Sequence, residues 1–159
     1  NVEESAIHEG NEHVEALKTA IQEEGAELIM ISASIESQIA ELEDAEEKAL
    51  FLDEYGLKES GLNKLIKTSY DVLNLITYFT AGKQEVKAWT IQKGWKAPKA
   101  AGVIHTDFEK GFIRAEVIKI DDYQQLKTEV AVKEAGKMSV EGKEYVVKDG
   151  DVMHFRFNV

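Results

Sequence analysis

The stretch GVIHTDFEKGFIRAEV, Gly102 to Val117, gathers His105, Thr106, Asp107 and Glu109, with Arg114 close behind. Those residue types could serve as an acid–base pair or as metal ligands. No Ser or Cys nucleophile stands beside His105, and the chain has no cysteine at all, so a nucleophilic triad is not assembled locally. A structural reading competes. A His in the last turn of a helix suits its dipole, and Thr or Asp readily caps whatever follows. The stretch HEGNEH has the flavour of a zinc helix, but His8 and His13 are five residues apart. Two ligands on one helical face need a spacing of four, and Gly10 and Asn11 would break the helix. Around Trp89 and Trp95 stand Lys83, Lys87, Lys93, Lys96 and Lys99. Aromatics among lysines can stack bases and neutralise phosphates. They can equally pack on a hairpin while the lysines keep an edge strand soluble. On residue types alone, both readings stay open.

The elements that must position these residues change character midway. Asn11 caps a predicted helix carrying Val14, Leu17 and Ile21, which Gly25 ends. Leu28 to Ile31 is a short continuous apolar run, the pattern of a strand buried on both faces. Ile35, Ile39 and Leu42 open a second helix, Leu50 and Phe51 belong to a third closed by Gly56, and a fourth runs from about Ser60 to Leu75. Helix, buried strand, helix is a piece of an α/β layer whose sheet has no other strand here. From Leu75 onward, LITYFTAG and EVKAWTI read as a hairpin, and Pro98 starts a helix. Ile113, Ala115 and Val117 alternate with Arg114 and Glu116 as a half-buried strand, followed by short helices. Turns are expected at Glu141-Gly142 and Asp149-Gly150, giving a closing hairpin. In the last strand Met153, Phe155 and Phe157 face one way, His154, Arg156 and Asn158 the other. That order is the one of a ubiquitin-like β-grasp. The expected class is α+β, with an incomplete α/β layer over 1–75 and a β-grasp over 76–159.

Charge follows the same division. The chain has 159 residues and a formal net charge of −11. Residues 1–60 hold seventeen of the acidic side chains against three basic ones, and the rest holds thirteen against sixteen. The run from Glu41 to Glu47 reads as a solvated helix face. The absence of cysteine rules out a disulfide framework and a thiolate site and suits a reducing, cytoplasmic compartment. No apolar run approaches the roughly 18 residues of a membrane span. The chain starts with Asn rather than Met and is read as a piece of a longer protein.

The stretches LITYFTAGKQEVKAWTIQKGWKAPKAAGVIHTDFEKGFIRAEVI and EGKEYVVKDGDVMHFRFNV resemble the C-terminal TGS domain of the YchF, or Obg-like ATPase, family. FLDEYGLKESGLNKLIKTSYDVLNLITYFTAG is similar to the same family's passage into TGS from its nucleotide-binding domain. The opening NVEE resembles the family's altered base-reading motif, Asn-x-x-Glu in place of Asn-Lys-x-Asp. Asn1 matches the Asn, Glu4 the changed acid, and Val2 stands where the stacking Lys would be. ISAS resembles the last nucleotide motif and adds Ser32, Ala33 and Ser34 to the candidate base site. Moving a carboxylate by one methylene spoils a paired fit to guanine, so the resemblance implies that adenine competes.

The implied whole is an ATP-preferring P-loop NTPase, using ATP or GTP with Mg²⁺. No G-x-x-x-x-G-K-[ST] occurs in these residues, so the segment alone is expected to be inactive. The partner implied is the ribosome or RNA, through Lys83, Lys87, Lys93, Trp95, Lys96 and Lys99, with no role for DNA or a membrane. The alternative is an RNA-binding or regulatory TGS module without nucleotide chemistry. In either case His105 and Asp107 are expected to form the turn after the Pro98 helix, and catalysis there is not expected.

Overall fold

A computed structural model describes residues 1–82 and 85–158. The chain divides into two compact units, Asn1–Val72 and Leu73–Val159.

The first unit is helical. A 3₁₀ turn, Glu4–Ala6, precedes α1 (Glu12–Ile21). Asn11 caps α1, its Oδ1 accepting from the N–H groups of His13 and Val14 at 3.1 Å each. A further 3₁₀ turn ends at Gly25, whose φ of 61° lies in the left-handed region that glycine tolerates. Three helices follow: α2 (Ala33–Glu41), α3 (Ala45–Glu54) and α4 (Gly61–Val72). Asp44 caps α3. The Glu36 carboxylate caps α4, accepting from the Gly61 N–H at 2.6 Å. The core of this unit is thin, with Val2, Ala6 and Val14 buried beside Leu28 and Met30. Leu62, Leu65 and Ile66 on α4 stay exposed.

The expected strand at Leu28–Ile31 is not formed. The segment carries no regular structure and is only half-buried. A strand exists by pairing, and among the described residues of this unit no second strand is present. Ile31 does accept a backbone hydrogen bond from the Val2 N–H at 2.9 Å.

The second unit is a five-stranded mixed sheet with helices. It comprises β1 (Leu75–Ala81), β2 (Val86–Gln92), α5 (Ala97–Ile104), α6 (Thr106–Lys110), β3 (Phe112–Lys119), α7 (Ile120–Leu126), α8 (Glu129–Glu134), β4 (Met138–Glu141) and β5 (Asp151–Phe157). The strand order is β2-β1-β5-β3-β4, with β1 and β5 parallel and the other pairs antiparallel. The α+β class is as read, as are the opening hairpin, the helix and the strand that follows it. Pro98 sits in the first turn of α5, where its missing N–H costs nothing. Ala97, Ala100 and Ala101 let α5 lie close on a core of Ile76, Tyr78, Ile91, Phe112, Val117, Met153 and Phe155. Each large apolar side chain so covered contributes about 1.5–3 kcal/mol. Tyr78 is fully buried, and its hydroxyl donates to the Ala100 carbonyl at 2.9 Å. A second cluster, Ile118, Val132 and Val152, lies beneath α7 and α8.

Three expectations change here. Ile113 does not point inward: it is 53% exposed, and Phe112 is buried instead. A bulge between Phe112 and Arg114 shifts the register and resets the alternation. The closing hairpin is absent as well. β4 pairs with β3, and after the turn at Gly142 the chain makes only an isolated bridge, Val146 to Lys96, before β5. Finally, a short helix follows His105 where only a turn was expected.

Asp151 is buried at the start of β5 and accepts from Lys119 Nζ, from the Tyr145 hydroxyl at 2.7 Å and from the Lys148 N–H at 2.9 Å. Asp151→Ala leaves those donors without an acceptor. We expect it to lower the unfolding free energy of an isolated 73–159 unit, which should melt cooperatively, by about 2–4 kcal/mol in a urea titration. A loss under about 0.5 kcal/mol would contradict the role given to this carboxylate. On the open face of the sheet, Arg156 holds Glu116 with contacts of 3.1 and 3.4 Å. That hydrogen bond holds the Glu116 carboxyl below its ordinary value, against the opposing pull of partial burial. A depressed carboxyl stabilises above its unfolded pKa of about 4.3 and loses that contribution as pH falls through the folded value. The melting-temperature gap between wild type and Arg156→Gln should therefore be present at neutral pH and close in acid.

Candidate functional site

The first four residues and the start of α2, thirty positions on, meet in space. The Val2 N–H bond to the Ile31 carbonyl docks the N-terminal segment alongside the stretch leading into α2. Asn1 Oδ1 then accepts from the Ala33 N–H at 2.9 Å, taking one of the unpaired donors at the start of that helix. The 3₁₀ turn at Glu4 brings its carboxylate to Ser34, whose hydroxyl donates to Glu4 Oε1. Gln38, one helical turn beyond Ser34, donates from Nε2 to the same oxygen at 3.4 Å and to the Ser34 carbonyl at 3.4 Å. Asn1, Glu4, Ala33 and Ser34 are all exposed.

Ser32 is different. It precedes α2 in an extended conformation but makes no side-chain capping bond. It is 1% exposed, and among the described residues its Oγ has no hydrogen-bond partner. A buried hydroxyl left unpaired costs roughly 1–3 kcal/mol. Such a group is what a ligand or further protein atoms would satisfy.

Val2 needs correction. Its side chain is buried with Ala6 and Val14, because an apolar residue in this turn gains more from that small core than from facing solvent. Its side chain is turned into that core rather than held out as a stacking surface, and its N–H anchors the segment to Ile31. Gln38 joins this cluster of side chains and was not named from the sequence. The signal was its spacing of four from Ser34, which places both on one helical face.

The HEGNEH histidines are not brought together as ligands. His8 Nε2 lies 2.7 Å from the Tyr55 carbonyl, and His13 is exposed beside Glu12. Among the described residues no group of three or more His, Asp or Glu side chains could hold a metal.

A family model for the C-terminal region of YchF GTPases, described as "Protein of unknown function (DUF933)", matches residues 75–158, more than half of the chain. The chain is 57% identical over its whole length to the "Ribosome-binding ATPase YchF" of Haemophilus ducreyi, of which it covers 43%. It is 56% identical to the protein of the same name from Bacillus subtilis, covering 44% of that one. The chain belongs to the YchF family. It spans under half the length of these relatives. A solved YchF GTPase from Schizosaccharomyces pombe superposes with a TM-score of 0.76 at 42% identity, over 94% of this chain and 40% of that one.

In this YchF chain the candidate lysines Lys87, Lys93, Lys96 and Lys99 lie along the edge strand β2, the turn after it and the start of α5. Lys83 lies outside the described residues. Lys87 sits over the Trp89 ring at 4.2 Å, and Lys99 over Trp95 at 4.0 Å. Lys96 pairs with Glu144 at 2.5 Å. Lys93 is exposed in the turn after β2. Trp89 and Trp95 both pack against the core, and the Trp89 indole N–H donates to Thr80 Oγ1 at 2.9 Å. The contacts on this edge are thus structural ones within the unit. His105 is the C-cap of α5 and the N-cap of α6, its Nδ1 accepting from the Asp107 N–H at 3.2 Å. The structural reading of the segment stands, with the His, rather than Thr106 or Asp107, doing the capping.

The burial of Val2 sets a test. In the intact protein carrying this segment, Val2→Lys should not restore guanine stacking. It should lower the melting temperature by several degrees, since an ammonium in that core is costly. A rise in GTP affinity at unchanged stability would show that residue 2 faces the base after all.

Proposed function

We propose that this chain is the base-reading and ribosome-contacting end of an ATP-preferring P-loop NTPase. The observation that carries the reading is the meeting of Asn1, Glu4 and Ser34 at the N-terminus of α2. Residues thirty apart form one polar edge there, and the orphaned Ser32 hydroxyl lies at the same helix start. Those groups fit the base of ATP or GTP. The phosphates and Mg²⁺ would be held by residues outside this segment. The base, when bound, brings donors and acceptors for Asn1 and Glu4 to read. The relatives' names speak of a ribosome-binding ATPase, which supports the same role and a cytoplasmic setting here. No described helix is long and apolar enough to cross a membrane.

The second unit, read as a TGS domain, would supply the ribosome contact through the β2–α5 edge. Residues 61–159 carry sixteen of the 19 basic side chains, in contrast to the acidic first sixty. RNA phosphates are the partner such lysines fit. A regulatory module without nucleotide chemistry is the competing role.

Co-sedimentation with ribosomes across a salt series tests the contact. Wild type should pellet with a steep loss as salt rises. Lys93→Ala/Lys96→Ala should bind more weakly and shallow the slope by about 0.7–0.9 log units per decade for each phosphate no longer neutralised. Equal pelleting of both proteins at every salt would remove the β2–α5 edge from the interface.

A further inference from the structure

Glu4 is not a free carboxylate. Both neighbouring donors, the Ser34 hydroxyl and Gln38 Nε2, converge on the same oxygen, Oε1. No hydrogen bond or ion pair engages Oε2 among the described residues. Gln38 is fixed in turn by the Ser34 carbonyl, and both donors ride on α2, whose Ile35 and Ile39 are buried. The helix therefore holds the carboxylate by one oxygen and presents the other.

The two bases differ in what they ask of such a group. Guanine offers a ring N–H and an adjacent amino group, two parallel donors that a carboxylate satisfies with two oxygens. Adenine offers one amino donor beside a ring nitrogen that accepts. An ionised carboxylate has two oxygens for a paired contact only if both are available. The geometry points to Ser34 and Gln38 as specificity-determining residues: by occupying Oε1 they make Glu4 a single-acceptor reader, which accepts adenine and disfavours guanine. This rests on the reading of the Asn1–Glu4 edge as a base site. It assigns the discrimination to two partner side chains in addition to the length of the acidic one. A site that leaves one donor of the wrong ligand unpaired rejects it by the cost of that unmade bond.

The test uses the intact protein carrying this segment, titrated at equilibrium with ATP and with GTP. Three variants are compared with wild type: Gln38→Ala, Ser34→Ala/Gln38→Ala, and Asn1→Ala. Gln38 is half-buried on a helix and alanine keeps the helix, so the single variant guards against a folding defect in the double one. Freeing Oε1 should raise GTP affinity relative to ATP by about 3- to 10-fold in the double variant, the worth of one net hydrogen bond, and by less in Gln38→Ala. Asn1→Ala should weaken both nucleotides together. If Asn1→Ala weakens both while the ATP/GTP ratio stays at the wild-type value in Ser34→Ala/Gln38→Ala and Gln38→Ala, the base site stands and the role of Ser34 and Gln38 is overturned. If Asn1→Ala leaves both affinities unchanged, the base site itself is wrong and this inference falls with it.

Discussion

The second unit is organised around one buried carboxylate. Asp151 sits where β5 begins, between the strand that precedes α7 and the irregular stretch that follows β4. Lys119 reaches it from the end of β3, Tyr145 and the Lys148 N–H from the connecting stretch. A charge taken out of water is tolerated only when its lone pairs are filled, and here three donors fill them. Burial alone would lower the Lys119 pKa, yet the bonds to Asp151 and Tyr145 outweigh it and raise the value. The Tyr145 phenol is pushed up, first by burial and then by the bond to Asp151. One residue earlier, Gly150 has φ of 75° and donates its N–H to the Thr77 carbonyl on β1 at 2.8 Å, while Asp149 accepts from the Thr77 N–H at 2.7 Å. The parallel β1–β5 pairing at the sheet centre is thereby locked at its start. A parallel pair lacks the short turn that aligns a hairpin, so this side-chain lock supplies the register.

The first unit shows the opposite use of a buried polar group. Ser32 is buried like Asp151, and none of the described residues satisfies its hydroxyl. Around it the donors and acceptors are paired selectively: Asn1 with the Ala33 N–H, Ser34 and Gln38 with one oxygen of Glu4. A fully satisfied network makes structure, and a partly satisfied one at an open helix start makes a place for something else. The thin core of Val2, Ala6 and Val14 is enough to hold this edge in shape, because the positioning is done by backbone bonds and by the buried face of α2.

What could be read in the sequence was what local physics alone decides. The alternation of Met153, Phe155 and Phe157 against His154 and Arg156, the Pro98 start of α5 and the Asn11 cap all express rules that act within a few residues. The failures are non-local. Leu28 to Ile31 looks like a strand because it is apolar, but apolarity does not provide a neighbour. Ile113 is turned out by a bulge that is set by how β3 pairs with β5. Glu141-Gly142 is a genuine turn whose following residues find Lys96 rather than β4. In the candidate site, Asn1, Glu4 and Ser34 were nameable by resemblance, whereas Gln38 and the inward turn of Val2 required the packing of α2 and the first core.

The same contrast bears on the lysine edge. Lys87 and Lys99 lie over indole rings, which keeps their charge while covering one face of each aromatic. Lys96 is tied to Glu144, but both side chains are more than half exposed, and such a pair is worth only about 0–1 kcal/mol. A phosphate can therefore displace Glu144 at little cost. A base stacking on Trp95 would have to displace Lys99 from its ring and gain more than that interaction gives. The Trp95 side chain also packs against the core. In the proposed contact, binding at this edge would be weighted toward charge, with affinity set by phosphate contacts and their salt dependence, and the two tryptophans would serve chiefly to hold Lys87 and Lys99 in place.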